Sequence, residues 1–542
     1  MLKRKVLVAL VATLVLLGSF AFAVKQEITY NLASEANAYD PRSSAGLNQR
    51  QVINQVFEGL LKTDMNGASV PGIAESWDML DNGTRIIFHL RDAKWSDGKP
   101  VTAHDFEYAW KSQLDPDFAS ASNERLFILR NAEKYNKGEA KVDEVGVKAL
   151  DDKTLEVRLE YASPFSLENF AGVSFYPVRK DIAEKDPEGW TINPRTFIGN
   201  GPFKMVEWRA KDYMTFEKNP NYYDADSVKL STLRYVFVEE ATTAHAAFLT
   251  GEIDVNETVP AFATEQLIKD GYALIVPLVA TYYYSINMGG DEWADLKEPR
   301  TPADETVRKV LWDKNVRHAL SLAIDRVAIT DVVLRGGQVP AYGFAPEGVV
   351  INGEDFRMGK SYFDPRGDVA EAQRLLAEAG YPGGQGFPVF EIFYNTSEMH
   401  AAVAQAVQDM WRRNLGITVR LVNKETNVFA HERGRGQYQI ARSGNTCDTL
   451  YPSILGLFKF GIATNDPQWV NPEYVALIDA AERSTDVARM AALYRMAEDV
   501  LMEEMPVIPV FYYTRVFAMQ KDIHDVVRLP SGSIFFKWAY RE

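Results

Sequence analysis

The side chains best able to do chemistry in this chain fall between Arg433 and Asp448. That stretch carries Arg433, Arg435, Arg442, Cys447 and Asp448, and His400 precedes it. A carboxylate with nearby guanidinium groups can hold a zwitterion, the anion taking an ammonium group and the cations a carboxylate. Both bonds are charge-assisted and strengthen when water is excluded. The same residue types also read as solvated charges in a loop-rich surface stretch, and type alone does not separate the two readings. Cys447, the only cysteine, could act as a nucleophile if the fold brought a basic histidine to it. The seven histidines are scattered without metal-ligand spacing. There is no Gly-x-Ser-x-Gly elbow, no His-Glu-x-x-His motif and no phosphate-cradling loop. Gly199-Asn200-Gly201 is a bare Gly-x-Gly that runs into Pro202.

The elements that must position these residues are legible. Tyr438 and Ile440 alternate with Gln439 as in a strand, which Ser443-Gly444-Asn445 then breaks. Gly444, lacking a Cβ, allows a ligand backbone to come close. Asn395-Thr396-Ser397 opens a helix with Val403, Val407, Met410 and Trp411 on one face. His400 lies in its first turn, where free backbone N–H groups favour an anion. A second helix follows Asp364-Pro365 and carries Val369, Ala372, Leu375, Leu376 and Ala379 before Gly380. A third carries Met490, Leu493, Ala497, Val500 and Leu501 and ends before Pro506. Tyr282 and Tyr284 share a face if their stretch is a strand, flanking a cleft or entering a core. Strand-like and helix-like segments alternate throughout, which predicts α/β architecture. The charged, Pro- and Gly-containing run between Asn287 and Val316 reads as a surface insertion with a short helix near 304–312.

Lys3-Arg4-Lys5, an apolar run from Val6 to Leu17 and Ala21-Phe22-Ala23 have the layout of a secretory signal peptide, residues 1–23. The apolar core is shorter than the roughly 20 residues a spanning helix needs. No cysteine lies near the cleavage site to carry a lipid. The formal charge of −15 argues against nucleic acid or an anionic membrane as partner. With one cysteine, stability must come from burial, not an internal disulfide.

One stretch says more than its local grammar. In Ala74–Trp110, Asp81-Asn82-Gly83 supplies a tight turn, and Phe88 and Leu90 alternate with His89 and Arg91. Asp97-Gly98 turns again, and Thr102 with Asp105 forms a capping box ahead of Phe106, Ala109 and Trp110. As a string it resembles the signature of the peptide and nickel class (family 5) of solute-binding proteins that serve ABC importers. Phe57-Glu58-Gly59-Leu60, Gly201-Pro202-Phe203, Asn219-Pro220 with Tyr222-Tyr223, and Gly251-Glu252-Ile253-Asp254 match in order. So do Ala319-Leu320 with Asp325-Arg326, and Leu376–Tyr381. Thr281–Tyr284, Tyr394–Ser397 and Pro509–Tyr513 are most similar to the oligopeptide-binding branch.

The resemblance implies an α/β fold of the type II periplasmic-binding-protein kind, with two main lobes joined by a hinge plus a third lobe. Lobe I would comprise 24–57, 184–285 and 514–542, lobe II 58–183 and lobe III 286–513. It implies a periplasmic monomer without cofactor that closes over a short peptide and hands it to the transmembrane subunits of an ABC permease. By the same likeness Asp448 receives the peptide ammonium, while Arg442, Arg433 and His400 face its carboxylate. The pattern departs at Asn445 (tryptophan in the family), Ser321 (lysine), Ser285 and Ala45 (acidic residues) and near Ser122 (tyrosine). These changes make the cleft less charged and shift the expected ligand toward short or unusual peptides. Two readings compete: another solute in the same fold (a murein peptide, an oligosaccharide or a metal chelate), and a secreted hydrolase. A weaker third is chaperone-like or signalling use of the same cleft.

Overall fold

Two long strands organise the molecule, Ala273–Ile286 and Val507–Met519. They belong to a computed structural model that describes residues 24–43, 46–118, 120, 122–289, 302–351, 354–446, 453–459 and 464–542. The two pair antiparallel along most of their length. Their register shifts between Pro277/Thr514 and Thr281/Tyr512, which leaves Tyr513 without a cross-strand partner. The break divides a mixed eleven-stranded sheet into two halves.

On one side Met519 and Ala518 pair with Val255–Asn256, which runs parallel to Glu27–Asn31. Thr232–Val236, Tyr213–Lys218 and Phe203–Arg209 complete that half. On the other side Ala280–Ile286 pairs with Ile440–Thr446, followed by the parallel strands Phe390–Asn395 and Val419–Lys424. Parallel strands linked by helices are the expected consequence of the alternating pattern.

The three expected helices form as Val369–Glu378, Glu398–Leu415 and Val487–Glu504. Gly380 and Gly416 take positive φ just beyond the first two, and Met505 does so before Pro506. Val403, Val407, Met410 and Trp411 are buried as their spacing predicts. The helix in the insertion spans Pro302–Leu311.

A separate four-stranded sheet contains Ala74–Leu80, Arg85–Leu90, Thr154–Arg158 and Val147–Asp151. Asp81, Asn82 and Gly83 all have positive φ in its first turn. Helix Ala103–Gln113 begins at a Thr102/Asp105 capping box and buries Phe106, Ala109 and Trp110. The signature is therefore the scaffold of this unit, and Trp110 Nε1 donates to the Phe175 carbonyl at 3.0 Å.

A buried polar cluster ties this unit to the first half of the large sheet. Glu58 accepts from Tyr222 and Tyr223 at 2.5 and 2.6 Å. Lys62 donates to the Tyr223 hydroxyl and Lys537 to that of Tyr222. Asn200 closes the knot by pairing with both the backbone N–H and the carbonyl of Glu58. Glu58 is 5% exposed, so removing its carboxylate strands two phenols near two ammonium groups. Glu58→Ala is expected to lower unfolding free energy by about 3 kcal/mol, and Glu58→Gln by less. Denaturant titration reads this directly, and equal midpoints for wild type and Glu58→Ala would refute it.

Candidate functional site

Arg442 sits on strand Ile440–Thr446, opposite Tyr284 of the long strand. Its Nη1 donates to Asn395 Oδ1 at 3.2 Å and its Nη2 to the Tyr513 hydroxyl at 3.3 Å. The guanidinium lies 5.6 Å from the Tyr282 ring centroid. None of these partners carries a negative charge, and Nε is buried with no hydrogen-bond partner. Burial works against the charge, but the phenol oxygens of Tyr513 and Tyr282 outweigh it and hold the group protonated.

His400 is in the first turn of helix Glu398–Leu415, which begins directly beyond Asn395. It is 5% exposed, its ring centroid is 5.6 Å from that of Tyr282, and Nδ1 lacks a partner. Burial, and then the Arg442 charge, push the imidazole down to about 3. It is therefore uncharged at neutral pH. Tyr282 is fully buried and stacks on Phe511 with centroids 4.6 Å apart. It is both core and the wall against which Arg442 and His400 rest.

Arg433 is differently engaged. Its Nη1 donates to Ser443 Oγ at 3.1 Å, and Nε lies 3.5 Å from Asp466 Oδ1. Ser443 Oγ in turn donates to Asp466 Oδ2 at 2.9 Å. Asp466 neutralises Arg433 and was not singled out by the sequence. Gly444 pairs with Tyr282, and a Cβ there would lie 2.8 Å from the Tyr513 hydroxyl. The missing Cβ thus makes room for Tyr513 under Arg442. Asn445 donates to the Tyr283 hydroxyl at 2.6 Å.

The structure therefore brings Arg442, His400 and Gly444 together around Tyr282 and Tyr513, whereas Asn445 and, through Ser443, Arg433 lie on the opposite face of the sheet beside Tyr283. Ser285 is fully buried in the long strand, paired with Ala441 and Val507. Ser321 is also fully buried, and its Oγ accepts from Arg326 Nη2 at 2.8 Å. Its hydroxyl belongs to the core contact that fixes Arg326, not to the group around Arg442. Ser122 is buried beside Gln113. Asp448, Cys447, Ala45 and the leader 1–23 lie outside the described residues.

Sequence reasoning missed Tyr513, Asn395 and Asp466 as site members. Asn395 and Tyr513 had a usable signal, since both fall within motifs that carried the resemblance.

Comparison with known proteins decides the class. Residues 68–458 match the middle region of the bacterial extracellular solute-binding proteins, family 5. The chain belongs to that family. A relative, the oligopeptide-binding protein OppA of Bacillus subtilis, is 34% identical over 95% of this chain and 93% of its own length. Haemophilus influenzae OppA in complex with RPPGFSPFR superposes with a TM-score of 0.82 at 29% identity, covering 96% of this chain and 99% of that one. An unliganded open form of the murein tripeptide binding protein MppA, 30% identical with 96% and 98% coverage, reaches 0.68. The two halves of this family 5 protein are thus arranged more as in the complex than as in the open form. The mixed α/β architecture of several domains is that of the periplasmic solute-binding proteins.

The uncharged His400 has a measurable consequence. Its folded-state pKa of about 3 lies below the ordinary 6.5, so unfolded chains take up a proton that the folded protein refuses. Stability from this group is complete above pH 6.5 and is lost as pH falls toward 3. Between pH 7 and pH 5, ligand-free wild type should lose about 2 kcal/mol more than His400→Gln. Urea titrations at both pH values check this, and identical losses would overturn it.

Proposed function

We propose that this protein captures short peptides between its two halves and delivers them to the transmembrane subunits of an ABC permease. The observation that carries this reading is Arg442, a largely enclosed cation with only neutral partners among the described residues and an unmet Nε. His400 beside it has an unmet Nδ1. A buried guanidinium without a counter-ion is costly, and a carboxylate arriving from solution supplies both the charge and the bonds. Named relatives support peptides as the source of that carboxylate, since OppA of Bacillus subtilis is an oligopeptide-binding protein.

In this reading lobes I, II and III follow the boundaries expected from the sequence, except in the first long strand. There the boundary moves from 285 back to the register break, because 280–286 pairs with Ile440–Thr446 of the other half. The hinge is the register break between Pro277 and Thr281. The ligand backbone runs past Gly444 as an added strand, and its side chains extend into water-filled space. Asp448 takes the ammonium end, and His400 gains a proton as the carboxylate settles between it and Arg442. Arg433 acts through Ser443, held by Asp466. No covalent step is involved, and the protein acts in the periplasm as a monomer.

Calorimetry with tripeptides and their C-terminal amides tests the central claim. Arg442→Met should weaken free-carboxylate peptides about a hundredfold while leaving the amides nearly unchanged. Equal losses for both, or no peptide binding by wild type, would reject the reading. At the other end, Asp448→Ala should weaken free-amine peptides far more than N-acetylated ones. A uniform loss would reject Asp448 as the ammonium acceptor.

A further inference from the structure

A second charged group lies on the other side of the hinge. Glu257 follows directly on strand Val255–Asn256, at the carboxyl end of a parallel pair. That is where open α/β sheets bind ligands. The position mirrors Asn395, which ends the parallel strand Phe390–Asn395 and holds Arg442 in the other half. Glu257 accepts from Arg515 Nη1 at 2.7 Å and from the Tyr30 hydroxyl at 3.0 Å, and its side chain is 12% exposed.

Arg528 is the second cation of this group. Its guanidinium lies 4.2 Å from the centroid of the Phe517 ring, and its Nη1 is buried with no hydrogen-bond partner. Glu257 is the carboxylate whose field reaches it, and that carboxylate is already bonded to Arg515. Two guanidinium groups therefore share one carboxylate, which leaves a surplus positive charge. Burial lowers the pKa of Arg528, and Glu257 offsets part of that, so the charge is held under strain.

The two cationic groups face the same space. Tyr513, Arg515 and Phe517 alternate along one strand and so share a face. Arg442 hydrogen-bonds to the first of them and Arg528 covers the last. Along a strand these residues are spaced by about 7 and about 14 Å, the span of two to four residues of an extended ligand.

We propose that Arg528, with Arg515 and Glu257 beside it, forms a second anion subsite that selects peptides carrying an additional carboxylate two to four residues from their C-terminus. This deepens the peptide-binding reading and rests on it. Arg528 receives the additional carboxylate, and Glu257 keeps Arg515 oriented and limits the subsite to one negative charge.

The test is a scan of tri-, tetra- and pentapeptides of alanine with glutamate, or glutamine, at each non-terminal position. Affinities are measured by calorimetry on wild type, Arg528→Met and Arg528→Lys. At one position glutamate should bind about tenfold or more tightly than glutamine, and added salt should shrink that ratio. Arg528→Met should abolish the ratio while leaving glutamine peptides within about twofold, and Arg528→Lys should retain part of it. A wild-type ratio near one at every position overturns the proposal whether or not the variants fold. So does a ratio that survives in Arg528→Met. If no peptide of the set binds wild type, the peptide reading itself fails instead.

Discussion

The pairing of Ala273–Ile286 with Val507–Met519 is the constraint on which the rest depends. Each strand runs through both halves of one sheet and pairs with neighbours in each. An unbroken ladder of that length would lock the halves at one angle. Here it is interrupted: Pro277 offers no N–H, the register shifts before Thr281, and Tyr513 is left unpaired opposite the gap. A second, one-residue shift follows between Tyr282/Phe511 and Tyr283/Pro509, so the irregular stretch spans 277–283. The residue freed by the irregularity is the one whose hydroxyl meets Arg442. In the proposed reading the ligand site and the hinge meet at this contact.

The electrostatics of the site follow from what that contact lacks. Tyr513, Asn395 and Tyr282 orient Arg442 without neutralising it. Burial, and then the same charge, keep His400 unprotonated. Arg433 is neutralised by Asp466 and bonded to Ser443, and so contributes order more than free charge. The site therefore carries one cation with no carboxylate partner among the described residues, braced by phenols. In the proposed reading a carboxylate relieves that cation and offsets the smaller of the two causes that hold His400 unprotonated, burial being the larger.

How much of this was legible varied with the range of the interaction. The strand-turn-strand-helix unit of Ala74–Trp110 was readable because positive-φ turn residues, period-two alternation and a capping box all act within a few residues. The three long helices were readable for the same reason. The motifs at Glu58 and Tyr222-Tyr223 were visible as strings, but their meaning was not. They are two ends of one buried knot, joined across a sequence gap that no local pattern spans. Arg442 and His400 emerged through resemblance to a family. Asp466 had no signal at all, since a lone aspartate in a Pro- and Asn-containing loop looks like any solvated charge. Ser321 shows the opposite failure. The departure at that position suggested a change in the cleft, whereas the fold places its hydroxyl in a core contact with Arg326.

The arrangement, nearer to that of the peptide complex than to that of the open form, brings contacts across the mouth. The loop 161–165 of the four-stranded unit reaches the opposite half. There Arg483 lies 5.2 Å from the Tyr161 ring and Phe165 packs against the cluster around Tyr283, Phe344 and Leu455. A partly exposed cation–π contact contributes about 0.5–1 kcal/mol, and one half-buried phenylalanine adds about 1–2 kcal/mol. Fixing the five residues of that loop costs about 5–10 kcal/mol at about 1–2 kcal/mol each, so the named contacts alone do not offset it. In the proposed reading the missing increment comes from a peptide that touches both halves, its carboxylate on Arg442 and His400 in one half and its remaining length against the other, so that it favours the closed form.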